Sequence, residues 1–128
     1  MERRIRVLIA DDLQPTRLGL SALLTLCPEV ELVGEAADGL EAVQLAAECR
    51  PDVVFMDMQM PVMDGLEATR RIKNHKFEIK VIALTIYSRY KAQALAAGVD
   101  AFLLKGCATE TLLEVILNLN EPRISKLT

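Results

Sequence analysis

The chain has 128 residues, 18 of them acidic and 15 basic, for a formal net charge of −3. That length suits one domain that hides roughly two thirds of its unfolded surface, so its core needs no covalent staples. Apolar residues at 52% and charged residues at 26% exclude disorder over most of the length, and the mild acidity argues against direct nucleic-acid binding by this domain. No apolar run reaches the ~18 residues of a membrane span, and Met1-Glu2-Arg3-Arg4 leads straight into a strand-like run. The cysteines Cys27, Cys49 and Cys107 are few and scattered, which points to reduced thiols in the cytoplasm and against a disulfide frame or zinc site.

Taken in order, two kinds of segment alternate. Ile5–Ala10 is an apolar run and reads as a buried strand, followed by a helix over Pro15–Cys27. Val30–Glu35 alternates more, as a strand nearer an edge does, and Leu40–Cys49 is helical. Asp52–Met56 is the third strand, Leu66–Lys73 the third helix, Lys80–Leu84 the fourth strand and Ser88–Ala97 the fourth helix. Ala101–Leu104 and Glu110–Asn120 complete a fifth pair. Pro28, Pro51 and Gly98 stand where helices should stop. Asp38, Asp64 and Thr109 stand where helices should start, each able to accept an orphan amide proton. Five β-α units predict an α/β fold with a parallel sheet covered by helices on both faces. Residues 1–121 form that domain, and 122–128, beginning at the helix-breaking Pro122, read as a polar tail or the start of a linker.

In open α/β sheets the chemistry lies beyond the carboxyl ends of the strands. Asp11 and Asp12 follow the first strand, Asp57 the third, Thr85 the fourth and Lys105 the fifth. Each alone has an ordinary reading: a cap for the acid pair and for Asp57, a strand-end threonine, a solvated lysine. Together they form a coherent set. Three neighbouring carboxylates repel and are relieved by a hard, oxygen-seeking cation such as Mg²⁺. One carboxylate can then attack a phosphoryl group while the cation, ammonium and hydroxyl neutralise the transferring oxygens.

At these residues the chain resembles the response-regulator receiver domain. The resemblance covers nearly all of 4–120 and is carried by I-A-D-D (Ile9–Asp12), V-V-F-M-D-M-Q-M-P-V-M-D-G (Val53–Gly65), A-L-T (Ala83–Thr85) and A-F-L-L-K (Ala101–Lys105). D-D-x-x-x-x-R-x-G-L at the start and L-L-K near the end look most like the NarL/FixJ group. The resemblance implies a doubly wound, flavodoxin-like sheet of strand order 2-1-3-4-5. It implies Asp57 as phosphoacceptor, Asp11 and Asp12 as metal-binding acids with the backbone carbonyl of Gln59, and Thr85 and Lys105 as the pair that holds the phosphoryl oxygens. Phe102 takes the aromatic switch position, for which core packing is the ordinary alternative. Three departures touch that switch region: Ile86 stands where receivers usually carry a small residue, the interval from Thr85 to Phe102 is short and lacks its acidic loop, and Gly106 follows the lysine in place of proline.

The implied function is a phosphorylation-controlled switch of a two-component system, not an enzyme apart from assisting its own phosphorylation and dephosphorylation. A histidine kinase is the donor, and the β4-α4 loop and α4-β5-α5 face control an output, in this group transcription through a C-terminal DNA-binding domain. His75 lies in a polar helix end and reads as exposed. The alternatives are a degenerate receiver acting only as a protein-binding module, or a Mg²⁺-dependent phosphohydrolase with an aspartate nucleophile; the latter carries a second acid where Gln59 stands. A dinucleotide site is excluded by the lack of G-x-G-x-x-G after the first strand. Finally, Leu18, Ala22 and Leu26 fall opposite the inward stripe Leu20, Leu23, Leu24 and Cys27 of the first helix. Leu113 and Leu117 widen the apolar arc of the fifth beyond Leu112, Val115, Ile116 and Leu119. This excess predicts a homodimer through the first and fifth helices, or a docking surface for a further domain.

Overall fold

The computed structural model describes residues 3–75 and 78–120. Strand β1 (Ile5–Ala10) leads to helix α1 (Gln14–Thr25), β2 (Val30–Ala36) to α2 (Gly39–Cys49), and β3 (Val53–Met56) to α3 (Gly65–His75). Strand β4 (Lys80–Thr85) passes through a 3₁₀ turn at Ser88–Tyr90 into α4 (Lys91–Ala97), and β5 (Ala101–Leu104) precedes α5 (Thr109–Leu119). The five strands form one sheet in the order β2-β1-β3-β4-β5, and every neighbouring pair is parallel. This is the doubly wound order expected.

Because strand side chains alternate in direction, apolar runs feed both faces at once. Leu8, Val54, Met56, Val81 and Ala83 point to one face, where Ala42 and Ala46 of α2, Ala68 and Ile72 of α3 and Ala94 of α4 cover them. Ile5, Val7, Ile9, Val53, Phe55, Ile82 and Leu84 point to the other, beneath Leu20 and Leu24 of α1 and Leu112 and Ile116 of α5. The first face uses alanines on its helices, which lets those helices lie close to the sheet.

Asp38 accepts the Glu41 amide at 2.8 Å and Asp64 the Glu67 amide at 2.9 Å, so both cap as the sequence suggests. Arg50 and Gly98 end α2 and α4 in the left-handed conformation. Four expectations need correction. Thr109 does not cap α5: Ala108 holds the extended cap position without a side-chain bond, and Thr109 is already helical. Asp52 lies outside β3, where its carboxylate instead accepts the Arg6 amide at 2.8 Å and Arg3 at 2.9 Å. The fourth helix does not start at Ser88, because the chain first makes a tight turn over Ser88–Tyr90. Strand β5 is not a buried strand; it is the sheet edge and is at best half-buried. The remaining helix and strand ends shift by one or two residues. The reading of 122–128 as a tail lies outside the described residues.

Candidate phosphoacceptor and metal site

The sheet ladder runs on past the strand ends and delivers the site. The Asp11 amide donates to Ala36 O and the Asp57 amide to Ala10 O, both at 3.0 Å, while the Lys105 amide donates to Thr85 O at 2.8 Å. Asp11, Asp57 and Lys105 are therefore each fixed to a neighbouring strand through their own backbone. Behind Asp57 the chain must turn sharply into α3. A Cβ on Gly65 would stand 1.9 Å from the Asp57 carbonyl oxygen, so glycine is required there.

Carboxylate oxygens of Asp11, Asp12 and Asp57 all lie within 4.8 Å of one another. Asp11 and Asp57 are buried and Asp12 is exposed. Lys105 reaches between them, its Nζ 2.7 Å from Asp11 Oδ2 and 3.2 Å from Asp57 Oδ2. Asp11 Oδ1 accepts the Leu13 amide at 2.9 Å, and the Arg17 guanidinium donates to the Asp11 carbonyl at 2.6 Å. The acid pair does not cap α1, whose cap position is Leu13 without a side-chain bond. Burial pushes the Asp57 carboxyl above its ordinary range; the Lys105 ammonium opposes this, but the like charge of Asp11 adds to it. Burial alone would lower the Lys105 ammonium, yet its bonds to Asp11 and the charge of Asp57 outweigh it and raise it.

Around this centre lies an open cleft of about 790 Å³ lined by Asp12, Asp57, Gln59, Thr85, Ile86 and Lys105, with Tyr87 and Tyr90 on one wall. Thr85 is buried, and its Oγ1 accepts the Tyr87 amide at 3.3 Å. Ile86 is 62% exposed at the cleft wall. Gln59, exposed at the cleft wall, donates from Nε2 to Tyr90 Oη at 2.7 Å. Phe102 stands apart from the acids and packs half-buried against the core that holds Ala83, Ala94 and Val99. His75 is exposed.

Sequence reasoning counted Arg17 in a motif without giving it a role, and it missed the run Tyr87-Ser88-Arg89-Tyr90. The signal was present: the two tyrosines of the chain both follow the carboxyl end of β4 within five residues of Thr85. Their edge-to-face contact at 6.1 Å, with the Arg89 guanidinium 4.1 Å from one ring centroid and 5.2 Å from the other, makes a built cluster beside the cleft.

Residues 7–117 match the response regulator receiver domain family. The chain belongs to that family, and it is a receiver domain of the two-component signalling class. It is 40% identical over 114 residues to the response regulator protein VraR of Staphylococcus aureus, an alignment covering 88% of this chain and 54% of that protein. The chain thus spans about half the length of the curated relatives it matches. Among solved structures, the receiver domain of the putative response regulator NarL from Mycobacterium tuberculosis superposes with a TM-score of 0.88 at 30% identity, covering 93% of this chain and 98% of that one. A DNA-binding response regulator of the LuxR family from Staphylococcus aureus gives 0.85 at 34% identity, covering 91% and 98%.

Proposed function

We propose that Asp57 accepts a phosphoryl group from the phosphohistidine of a histidine kinase. The observation that carries this is the convergence of Asp57, at the end of the central strand, with Asp11, Asp12 and the Lys105 ammonium. An Asp57 carboxylate oxygen attacks phosphorus, the phosphorus–nitrogen bond to the imidazole breaks, and the departing imidazole takes a proton from solvent. Lys105 remains cationic throughout and is placed to bind the transferring oxygens; Thr85, whose Oγ1 accepts the Tyr87 amide, keeps its O–H free to donate to them.

The donor set fits a hard divalent cation. Three carboxylates face one ammonium, an imbalance in a partly buried site, and the donors offered are oxygens only. Asp11, Asp12, Asp57 and the backbone carbonyl of Gln59 would hold Mg²⁺, which supplies charge neutralisation when bound. A phosphohydrolase reading is disfavoured because Gln59, where a general acid would stand, is an amide committed to Tyr90.

In the same reading residues 1–121 are the receiver and 122–128 the start of a connection to an output domain. The relatives' length and the LuxR-family neighbours support a C-terminal DNA-binding domain and control of transcription by a cytoplasmic regulator. Phosphorylation would act through the β4-α4 loop, Phe102 and the α4-β5-α5 face. The test is labelling by acetyl phosphate. We expect label on the parent that depends on Mg²⁺ and is lost in Asp57→Asn; equal labelling of that variant, or undiminished labelling in EDTA, overturns the proposal.

A further inference from the structure

Two loops flank the acid cluster, one after β3 and one after β4. The hydrogen bond from Gln59 Nε2 to Tyr90 Oη, at 2.7 Å, ties one to the other across the cleft wall. Both side chains line the cleft together with Ile86. Tyr90 is itself held from behind: Tyr87 meets it edge to face at 6.1 Å, and the Arg89 guanidinium sits over both rings. Tyr90 is also half-buried against the core under α2, α3 and α4. A glutamine at an exposed loop position ordinarily samples many rotamers. Here it has one partner, and that partner has three of its own.

We propose that Tyr90 is a positioning residue that keeps the Gln59 side chain across the mouth of the cleft, and that this strap protects the phosphorylated Asp57 from water. The inference rests on the function proposed above. An incoming water must approach phosphorus from the side opposite the Asp57 oxygen, and so from the open cleft. With one N–H of Gln59 committed to Tyr90, the amide is kept at the wall of that cleft, where it narrows the approach. Releasing it opens the path. The linkage also runs outward: a partner that pulls the Tyr87–Tyr90 turn away from the cleft frees Gln59 and shortens the life of the phosphorylated state.

Tyr90→Phe removes the hydroxyl and keeps the ring, its edge contact and its core packing. On the parent chain labelled with acetyl phosphate and Mg²⁺, then stripped of donor, we expect Tyr90→Phe to lose its phosphoryl group roughly five-fold faster, the weight of one neutral hydrogen bond. Gln59→Ala should match it, and the double variant should be no faster than either single one. An unchanged or slower rate in Tyr90→Phe, or effects of the two substitutions that multiply, overturns the strap. A parent that takes no label at all overturns the proposed function instead, and a second measurement then still decides the pairing. The chain has two tyrosines and no tryptophan, so in a Tyr87→Phe background, excited where phenylalanine does not absorb, the emission comes from Tyr90 alone. Gln59→Ala in that background should change this emission without ion or phosphoryl; identical spectra overturn the contact.

Discussion

Asp57 is held at a cost to the fold. Its carboxyl is raised by burial and by Asp11, so folding favours the protonated form. A group raised in the folded state contributes stability below its ordinary range near pH 4, and that contribution is lost as pH rises through the raised value. At neutral pH the ionised Asp57 therefore destabilises the ion-free protein. We expect Asp57→Asn to melt about 3 °C or more above the parent at pH 7 in EDTA, with the difference shrinking toward pH 4 in calorimetric scans. Mg²⁺ should raise the parent's melting temperature by mass action and raise that of Asp57→Asn less. Ile86, exposed at the cleft wall, stands beside the same approach to phosphorus. Ile86→Ala should leave folding unchanged and speed loss of the phosphoryl group a few-fold, read by the same decay assay. At this scale the acids, Thr85 and Lys105 were legible because strand ends in a parallel sheet converge. The Gln59–Tyr90 bond was not, because nothing in a sequence tells which of many exposed polar side chains will meet.

The loop between β3 and α3 shows how an element can be strained and anchored at once. Val62 adopts φ 69°, a left-handed conformation that a β-branched residue rarely takes, and the Met63 amide donates to Pro61 O at 2.7 Å across it. Val62 is exposed, so its side chain gains little in return. We expect Val62→Gly to raise the melting temperature by about 3 °C, most of the strain relief surviving glycine's extra unfolded-state freedom. Gly65→Ala does the reverse. Its Cβ would collide with the Asp57 carbonyl, costing at least about 2 kcal/mol in urea unfolding and weakening acetyl phosphate labelling as the nucleophile shifts. Caps at Asp38 and Asp64 were readable because an acid before glycine and a helical run has a local cause. Thr109 misled for the opposite reason: a threonine with a following glutamate carries the local signal, but the turn through Gly106, at φ 93°, brings the chain in one residue early. The 3₁₀ turn at Ser88–Tyr90 brings Tyr87 and Tyr90 edge to face, a local contact that the helical reading of Ser88–Ala97 did not contain.

On the scale of the whole molecule, two cores meet only through the sheet, and the helices differ in how much they leave uncovered. On α1 Leu18 is 59% exposed, and Leu26 at its C-terminal cap is 83% exposed, whereas Leu113 and Leu117 of α5 are half-buried against the core. The apolar excess expected of both helices thus belongs mainly to α1. We expect Leu18→Glu with Leu26→Glu to leave the melting temperature nearly unchanged. If α1 and α5 form a homodimer face, that pair should convert the species seen in sedimentation to a monomer, whereas a parent already monomeric at high micromolar concentration would exclude the dimer. The strand order also divides the site in time. Strand β3 has paired neighbours on both sides and buried faces throughout, while β5 has one neighbour and is half-exposed. In deuterium exchange the amides of Val53–Met56 should open only when the entire protein unfolds, and those of Ala101–Leu104 by local fraying that costs far less. Asp57 thus follows a central, buried strand and Lys105 a half-exposed edge strand, so the carboxylate is expected to stay put while its counter-charge rides on a part of the sheet freer to move.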